Sequence, residues 1–296
     1  MQVVAEKDIQ LAELAEPRSG LADIRRRLFK NKAALFGLSI IILLVLCAIF
    51  ANQIAPYTYD ELVLPRMLRP PSADHLMGTD DLGRDIFSRV VHGSRISLEV
   101  GFIAVGLSLV LGTILGALAG YFGGVVDYLI SAVTDIAWGF PVTLLAIVFV
   151  ATMGPSLMSV MVAVALVSWA GYARLVRGQF LSLREKEFVE AARVLGMGHL
   201  RIIFRHILPN ALAPVIVMTT LELPKAIIVE ASLSFLGLGA QPPTPSWGSI
   251  ISSGRGYILE APWMVMFPGL MIMLVVLGFN LFGDALRDAL DPRLKE

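Results

Sequence analysis

A chain of 296 residues that is 56% hydrophobic and only 16% charged, with a mean hydropathy of +0.74, is far more apolar than a soluble domain, in which roughly 25% of residues are charged. Its 24 basic residues balance 24 acidic ones, which excludes the basic excess that nucleic-acid binding needs to displace counterions from phosphate. The single cysteine, Cys47, excludes an internal disulfide framework and a Cys-rich zinc site, and the four histidines contain no H-E-x-x-H pair.

A bilayer core of about 30 Å takes roughly 20 apolar residues in a helix, and six stretches of the chain qualify. After a basic tail, residues 1–32, the first runs over 33–55. It is longer than the apolar region of a cleavable signal peptide and lacks a clear small-x-small site, so it reads as an uncleaved anchor. Residues 56–95 then form a loop that opens with Pro56, Pro65, Pro70 and Pro71, as an extended linker does. The same loop ends in dense charge: Asp80, Asp81, Arg84, Asp85 and Arg89 are spaced for local pairing, with Thr79 or Asp80 as cap of a short helix. Two readings stay open for this segment, a solvated interfacial helix and a docking surface for an outside partner. The second stretch, 96–120, carries Ser108, Gly112, Gly116 and Gly120 at every fourth position, a strip of small residues that admits another backbone. The strip serves either a helix contact within the chain or the lining of a path. The third and fourth stretches are 135–153 and 155–173.

Residues 179–210 are polar enough to leave the membrane. Leu181, Phe188, Ala192 and Leu195 share helical spacing among Arg184, Glu185, Lys186, Glu187 and Arg193. Gly196 and Gly198 break that helix, and a second basic amphipathic piece, 200–207, stops near Pro209. A helix, glycine turn and helix too short to make its own core suits insertion into a groove on another protein, or adsorption to the inner leaflet. The fifth stretch, 208–235, contains Glu222, Lys225 and Glu230, charges that inside a span face a partner or a wet cavity. Glu222 and Lys225 are three apart and pair on one helix face, for neutralisation or for contact with a path; Glu230 is expected to anchor the outer end of the bundle. The turn-rich segment 237–262, with Pro242, Pro243, Pro245 and Trp247, either seals the outer mouth or meets a partner. The sixth stretch is 262–283.

Basic residues are retained on the cytoplasmic side of a membrane. Seven lie in the amino-terminal tail, seven between the fourth and fifth stretches and three in the carboxy-terminal tail, against six in the opposite loops. Both termini are therefore expected in the cytoplasm.

Glu190-Ala191-Ala192, then Gly196, then Leu208-Pro209 resembles the cytoplasmic coupling motif of ATP-binding-cassette importer permeases. The wider chain resembles the dipeptide and oligopeptide branch, and within it the C-type permease subunit. Three further blocks carry that resemblance: Gly78-Thr79-Asp80 with Gly83-Arg84-Asp85 and Ser88-Arg89; the run from Glu230 through Gly237, Gly239 and Pro242-Pro243 to Trp247-Gly248; and Gly283-Asp284 through Asp291-Pro292-Arg293. His206 departs from the pattern, which has an aliphatic residue two positions before Leu-Pro. The resemblance implies an all-α polytopic membrane protein with six transmembrane helices in the type I importer permease fold. It divides the chain into a cytoplasmic tail (1–32), a first helix (33–55), an external loop (56–95), a permease core (96–284) containing the coupling loop 177–208, and a cytoplasmic tail (285–296).

The implied partners are a homologous second permease subunit, two ABC ATPase subunits, an external solute-binding protein and membrane lipid, in a bacterial inner membrane. ATP and magnesium would be bound by the ATPases: none of the six lysines of this chain follows a glycine, so a phosphate-binding loop is absent. Relatives of this type handle dipeptides, oligopeptides, nickel chelates or certain sugars, of which peptides are favoured here. The competing class is an integral membrane enzyme. It lacks a serine elbow and a glycine-flanked aspartate pair, with Asp135 and Asp284 the nearest candidates. A simple channel leaves the loop at 179–210 without a purpose.

Overall fold

The computed structural model describes residues 20–290, so Lys7, Arg18, Arg293, Lys295 and the Asp291-Pro292-Arg293 end of the last sequence block lie outside the described residues. Among the described residues the regular elements are all helices, with one isolated antiparallel bridge, between Thr79 and Asp85. Helix α1 (Gly20–Lys30) ends at Asn31, whose side chain accepts the N–H groups of Ala33 and Ala34 and so caps α2 (Lys32–Ile49). One further turn, Ala51–Ile54, follows. The remaining helices are α3 (Ile86–Phe122), α4 (Gly124–Trp138), α5 (Val142–Met153), α6 (Leu157–Leu183), α7 (Glu187–Val194), α8 (His199–Phe235), α9 (Trp247–Gly254) and α10 (Trp263–Leu290).

Five of these, α2, α3, α6, α8 and α10, are long and apolar enough to cross a bilayer; α4 and α5 become a sixth crossing if taken together. The stretch expected over 135–153 is corrected in its bounds and shape, because α4 begins at Gly124 and the α4–α5 pair is bent by 94°. The cause is local. Pro141 supplies no N–H and disfavours helical geometry at Phe140, so the ladder stops at Gly139, the C-cap of α4, and restarts at Val142.

The loop expected over 56–95 also ends earlier, at Asp85, since α3 is helical from Ile86. Asp85, and not Thr79 or Asp80, is the cap: its carboxylate accepts the N–H of Ser88 at 2.7 Å. The charges that made 86–95 look like loop are held by tertiary acceptors. Arg89 donates to the Tyr59 carbonyl, and Arg95 donates to the carbonyls of Ala48 and Ile49, which the end of α2 leaves without helical partners. At the other boundaries, residues 177–183 of the expected coupling loop belong to α6, and 285–290 of the expected tail continue α10.

The core is built on two seams, α3 along α6 and α2 along α10. In the second, Gly37 and Gly278 face each other so closely that a β-carbon on Gly37 would stand 2.7 Å from the Gly278 carbonyl oxygen. Helix α9 docks onto α3 through the fully buried Trp247, whose indole donates to the Val90 carbonyl at 3.1 Å.

The charged end of the loop before α3 is not a solvated helix. His75, Thr79, Asp80, Arg84, Asp85 and Arg89 are all buried. Asp80 pairs with Arg84 at 2.6 Å and Arg89 at 3.6 Å, His75 meets Asp85 at 2.9 Å, and the Thr79 carbonyl accepts from the Trp263 indole. Asp81 sits beside this network with one carboxyl oxygen shut away from water and no donor for it among the described residues. Burial, with Asp80 adding to it, raises the Asp81 pKa above the ordinary carboxylate value. The folded state thus holds this proton more tightly than the unfolded chain: stability grows as pH falls through the raised value, and above it the ionised carboxylate is a constant cost. Asp81→Asn should therefore stabilise the permease at neutral pH, by less than about 1 kcal/mol because the side chain is partly in water, and so raise its melting temperature. Melts at neutral and acid pH should show that gain shrinking as the carboxylate protonates.

Candidate functional site: coupling loop and intramembrane charges

Between α6 and α8 the chain makes a protruding turn, and α7 is its exposed tip. Helix α7 ends with Gly196 in the left-handed region (φ +73°), where Met197 N–H returns to the Ala192 carbonyl at 3.1 Å and Gly196 N–H to Arg193 at 2.9 Å. This is the glycine-terminated helix end expected of that geometry. Glu190, Ala191, Gly196 and Pro209 are exposed, Ala192 is buried and Leu208 half-buried.

The helical face read from Leu181, Phe188, Ala192 and Leu195 is corrected. The turn over Arg184–Lys186 breaks the period, so Leu181 belongs to α6. Within α7 the buried pair is Val189 and Ala192, whereas Phe188 is 41% and Leu195 74% exposed. With Val194, Leu200 and Phe204 also exposed, the tip presents an apolar surface outward. Nor does the second piece stop at Pro209: α8 runs from His199 to Phe235 through a wide π-type stretch, Ile203–Ile207. That widening shifts the hydrogen-bond register just where Pro209 lacks a donor, so the helix continues. Two contacts tie the loop to the end of α3: Tyr121 Oη meets His199 Nδ1 at 2.9 Å, and Arg184 donates to the Gly120 carbonyl at 3.1 Å.

The strip of small residues on α3 meets α6. A β-carbon on Gly112 would collide with Tyr172 and the Trp169 carbonyl, on Gly116 with Ala173 and Val176, and on Gly120 with Phe180 and Arg177. Of the intramembrane charges, Lys225 donates to Glu222 at 2.7 Å, with side chains 66% and 17% exposed respectively. Glu230 is fully buried instead, accepting from Ser97 at 3.0 Å and Ser234 at 2.6 Å. Ser97 belongs to α3, so Glu230 binds α8 to it.

Residues 112–296 match the family described as "Binding-protein-dependent transport system inner membrane component", and residues 19–71 match the "N-terminal TM domain of oligopeptide transport permease C". The dipeptide transport system permease protein DppC of Alkalihalophilus pseudofirmus is 54% identical over 91% of this chain and 89% of its own. The chain belongs to the binding-protein-dependent transport permeases. The permease is also 42% identical to the oligopeptide transport system permease protein OppC of Bacillus subtilis, over 93% of this chain and 90% of that one. Among solved structures, a chain of the MetNI methionine ABC transporter in an inward-facing conformation is similar with a TM-score of 0.57 and 18% identity, over 70% of the permease and 98% of that chain. That likeness concerns the fold. With its apolar helices and these relatives, the permease is a multi-pass inner-membrane protein and a transport component, not an enzyme.

The sequence-derived residues thus fall into four places in the permease: Glu190, Ala191, Ala192 and Gly196 at the tip, with Leu208-Pro209 in α8 beneath it; Gly112, Gly116 and Gly120 in the α3–α6 seam; the Glu222–Lys225 pair; and the buried Glu230. Two ion pairs join α6 to α4. Arg177 pairs with Asp127, and Arg174 pairs with Asp135 at 2.6 Å while stacking on Trp138 at 3.9 Å. Both arginines counted as loop charges although they sit in α6, and both aspartates belong to α4. Asp135, the nearest candidate for a membrane aspartyl enzyme, is thereby neutralised by an arginine.

Glu230→Gln should weaken the α3–α8 link by about 1 to 3 kcal/mol, the range for disturbing a buried hydrogen bond. Purification yield and transport measured separately should show less assembled complex and an unchanged turnover per complex.

Proposed function

We propose that this permease is half of the membrane path of an ATP-driven importer for dipeptides or oligopeptides, the other half being a homologous second permease subunit. Two ABC ATPases bind the ATP and magnesium and drive the cycle, the 190–196 tip docking into a groove on one of them. An external solute-binding protein delivers the substrate to the opposite face. The N-terminal basic segment, the coupling loop and the end of α10 lie on the cytoplasmic side, in keeping with their excess of lysine and arginine.

The observation that carries this reading is the tip itself. Helix α7 offers exposed Glu190 and Ala191 together with an outward apolar surface at Val194, Leu195, Leu200 and Phe204, the kind of surface that inserts into a groove on a partner. Because α6 enters the loop and α8 leaves it, displacement of the tip rocks both helices and alternates access across the bilayer. Peptides are supported as substrate by the names of the relatives. Co-purification followed by reconstitution tests the reading: the permease should bring ATPases with it and support ATP-dependent uptake of dipeptides. Isolation without ATPases would overturn the importer reading, and uptake of nickel chelates or sugars in place of peptides would overturn the substrate.

A further inference from the structure

One face of the permease carries a row of neutralised charges. On α6, Gly171, Arg174 and Arg177 recur every third residue; on α4, Asp127, Asp135 and Trp138 run alongside them. The Arg174–Asp135 pair and Arg177 line one cavity of about 420 Å³, together with Ser131 and Thr134. A second cavity, of about 390 Å³, adjoins it beyond the Arg174–Trp138 stack and is lined by Trp138, Val167, Gly171, Met218, Glu222 and Lys225 among others. That size lies within the range of small-molecule sites. Ionised side chains this exposed are too costly to face hydrocarbon, so the row meets water or protein.

We propose that the second cavity is a transient site for a zwitterionic dipeptide within the membrane path, Lys225 receiving its carboxylate and Glu222 its ammonium group. The inference rests on the peptide-permease reading above. Three features point to this ligand chemistry. First, the pair is neutral as a whole, so it favours a ligand bearing both charges over an ion of one sign. Second, it has capacity to spare: among the described residues Lys225 Nζ donates only to Glu222 Oε1, leaving two ammonium protons and the second carboxylate oxygen for a ligand. Third, apart from Ser168 the rest of the wall is apolar and adaptable. Met218 is a flexible thioether, and at Gly171 a β-carbon would stand 2.9 Å from Met218 Cε, so the glycine keeps open the space in which varied peptide side chains would lie. Such a site recognises peptide termini while ignoring side-chain identity, and its affinity must be weak for the ligand to move on.

Trp138 reports on this cavity. The complete transporter, assembled with its partner subunits and labelled with 5-fluorotryptophan, is titrated with dialanine, dialanine amide and N-acetyl-dialanine, the Trp138 fluorine resonance being assigned from the Trp138→Phe complex. Dialanine should shift that resonance at millimolar concentration. Each capped form should need about tenfold more, the effect of losing one charge-assisted hydrogen bond. In Lys225→Gln the dialanine response should weaken about tenfold and the preference for free over amidated peptide should vanish. No Trp138 shift, equal responses to free and capped peptides, or an intact preference in Lys225→Gln overturns the site. If that variant fails to assemble, Lys225→Arg decides: retention of the preference supports the site and its loss overturns it. ATP-driven dialanine uptake by the same preparation separates the two claims. Uptake without a Trp138 response removes only this site, whereas absent uptake removes the peptide reading itself.

Discussion

Gly116→Val should prevent α3 and α6 from closing and should cost the permease about 3 kcal/mol, at the upper end of what overpacking a buried contact does. A β-carbon there would stand 2.9 Å from Val176 Cβ and 3.0 Å from Ala173 Cα, and closer still to the Ala173 carbonyl. Backbone atoms cannot swing aside as the end of a flexible side chain can, so the helices must separate. Separation forfeits the packing of Tyr172 and Phe180, both fully buried in this seam. Gly106→Val on the same helix is the control, because nothing lies within 4 Å of the β-carbon it introduces. Thermal unfolding of the two variants in detergent should separate them clearly; equal melting temperatures would mean that the glycine strip does not hold the seam.

Gly196→Val should leave the permease folded and yet reduce ATP-driven transport by about tenfold. The space around Gly196 is open, with nothing within 4 Å of an added β-carbon, so the obstacle is the backbone. At φ +73° an L-residue pays roughly 1–2 kcal/mol, and about 1.4 kcal/mol is tenfold in an equilibrium constant. The variant relieves that strain by rewinding the end of α7, which moves Leu195 and Met197 and misaligns the tip with its partner. Asparagine tolerates the left-handed region better, so Gly196→Asn should retain more transport. Gly198, with ordinary φ of −65° and open surroundings, should accept alanine. Transport per ATP hydrolysed in the reconstituted complex is the quantity to measure. If Gly196→Val couples normally, the left-handed turn has no part in coupling.

Local features of this permease were readable because each depends on neighbours in sequence. Glu222 and Lys225 pair because they are one helical turn apart, the strip at Gly112, Gly116 and Gly120 follows from spacing alone, and Gly196 marks a helix end by its freedom at positive φ. Features set by distant partners were not readable. Arg174 and Arg177 lie 39 and 50 residues from the aspartates they bind, and nothing local distinguishes them from loop arginines. The start of α3 was hidden for the same reason: Arg89 and Arg95 depress hydropathy over 86–95, yet their acceptors are carbonyls of Tyr59, Ala48 and Ile49. The break between α4 and α5 is a different case. Gly139 and Pro141 announce it, but a hydropathy window averages across three residues and sees one continuous span.

Helix α3 has 37 residues and so extends about 55 Å, well past the hydrocarbon on the side of its N-terminus. Its first turns are clamped by the buried His75–Asp85 and Asp80–Arg84–Arg89 network, and its last residues are fastened to the coupling loop through Tyr121–His199 and Gly120–Arg184. The clamped loop and the 190–196 loop are thereby joined by one helix that runs without a break. A push at either end arrives at the other as a whole-body tilt, without a relay of side chains in between. A binding protein seated outside and a nucleotide cycle running inside would each feel the position of the same object.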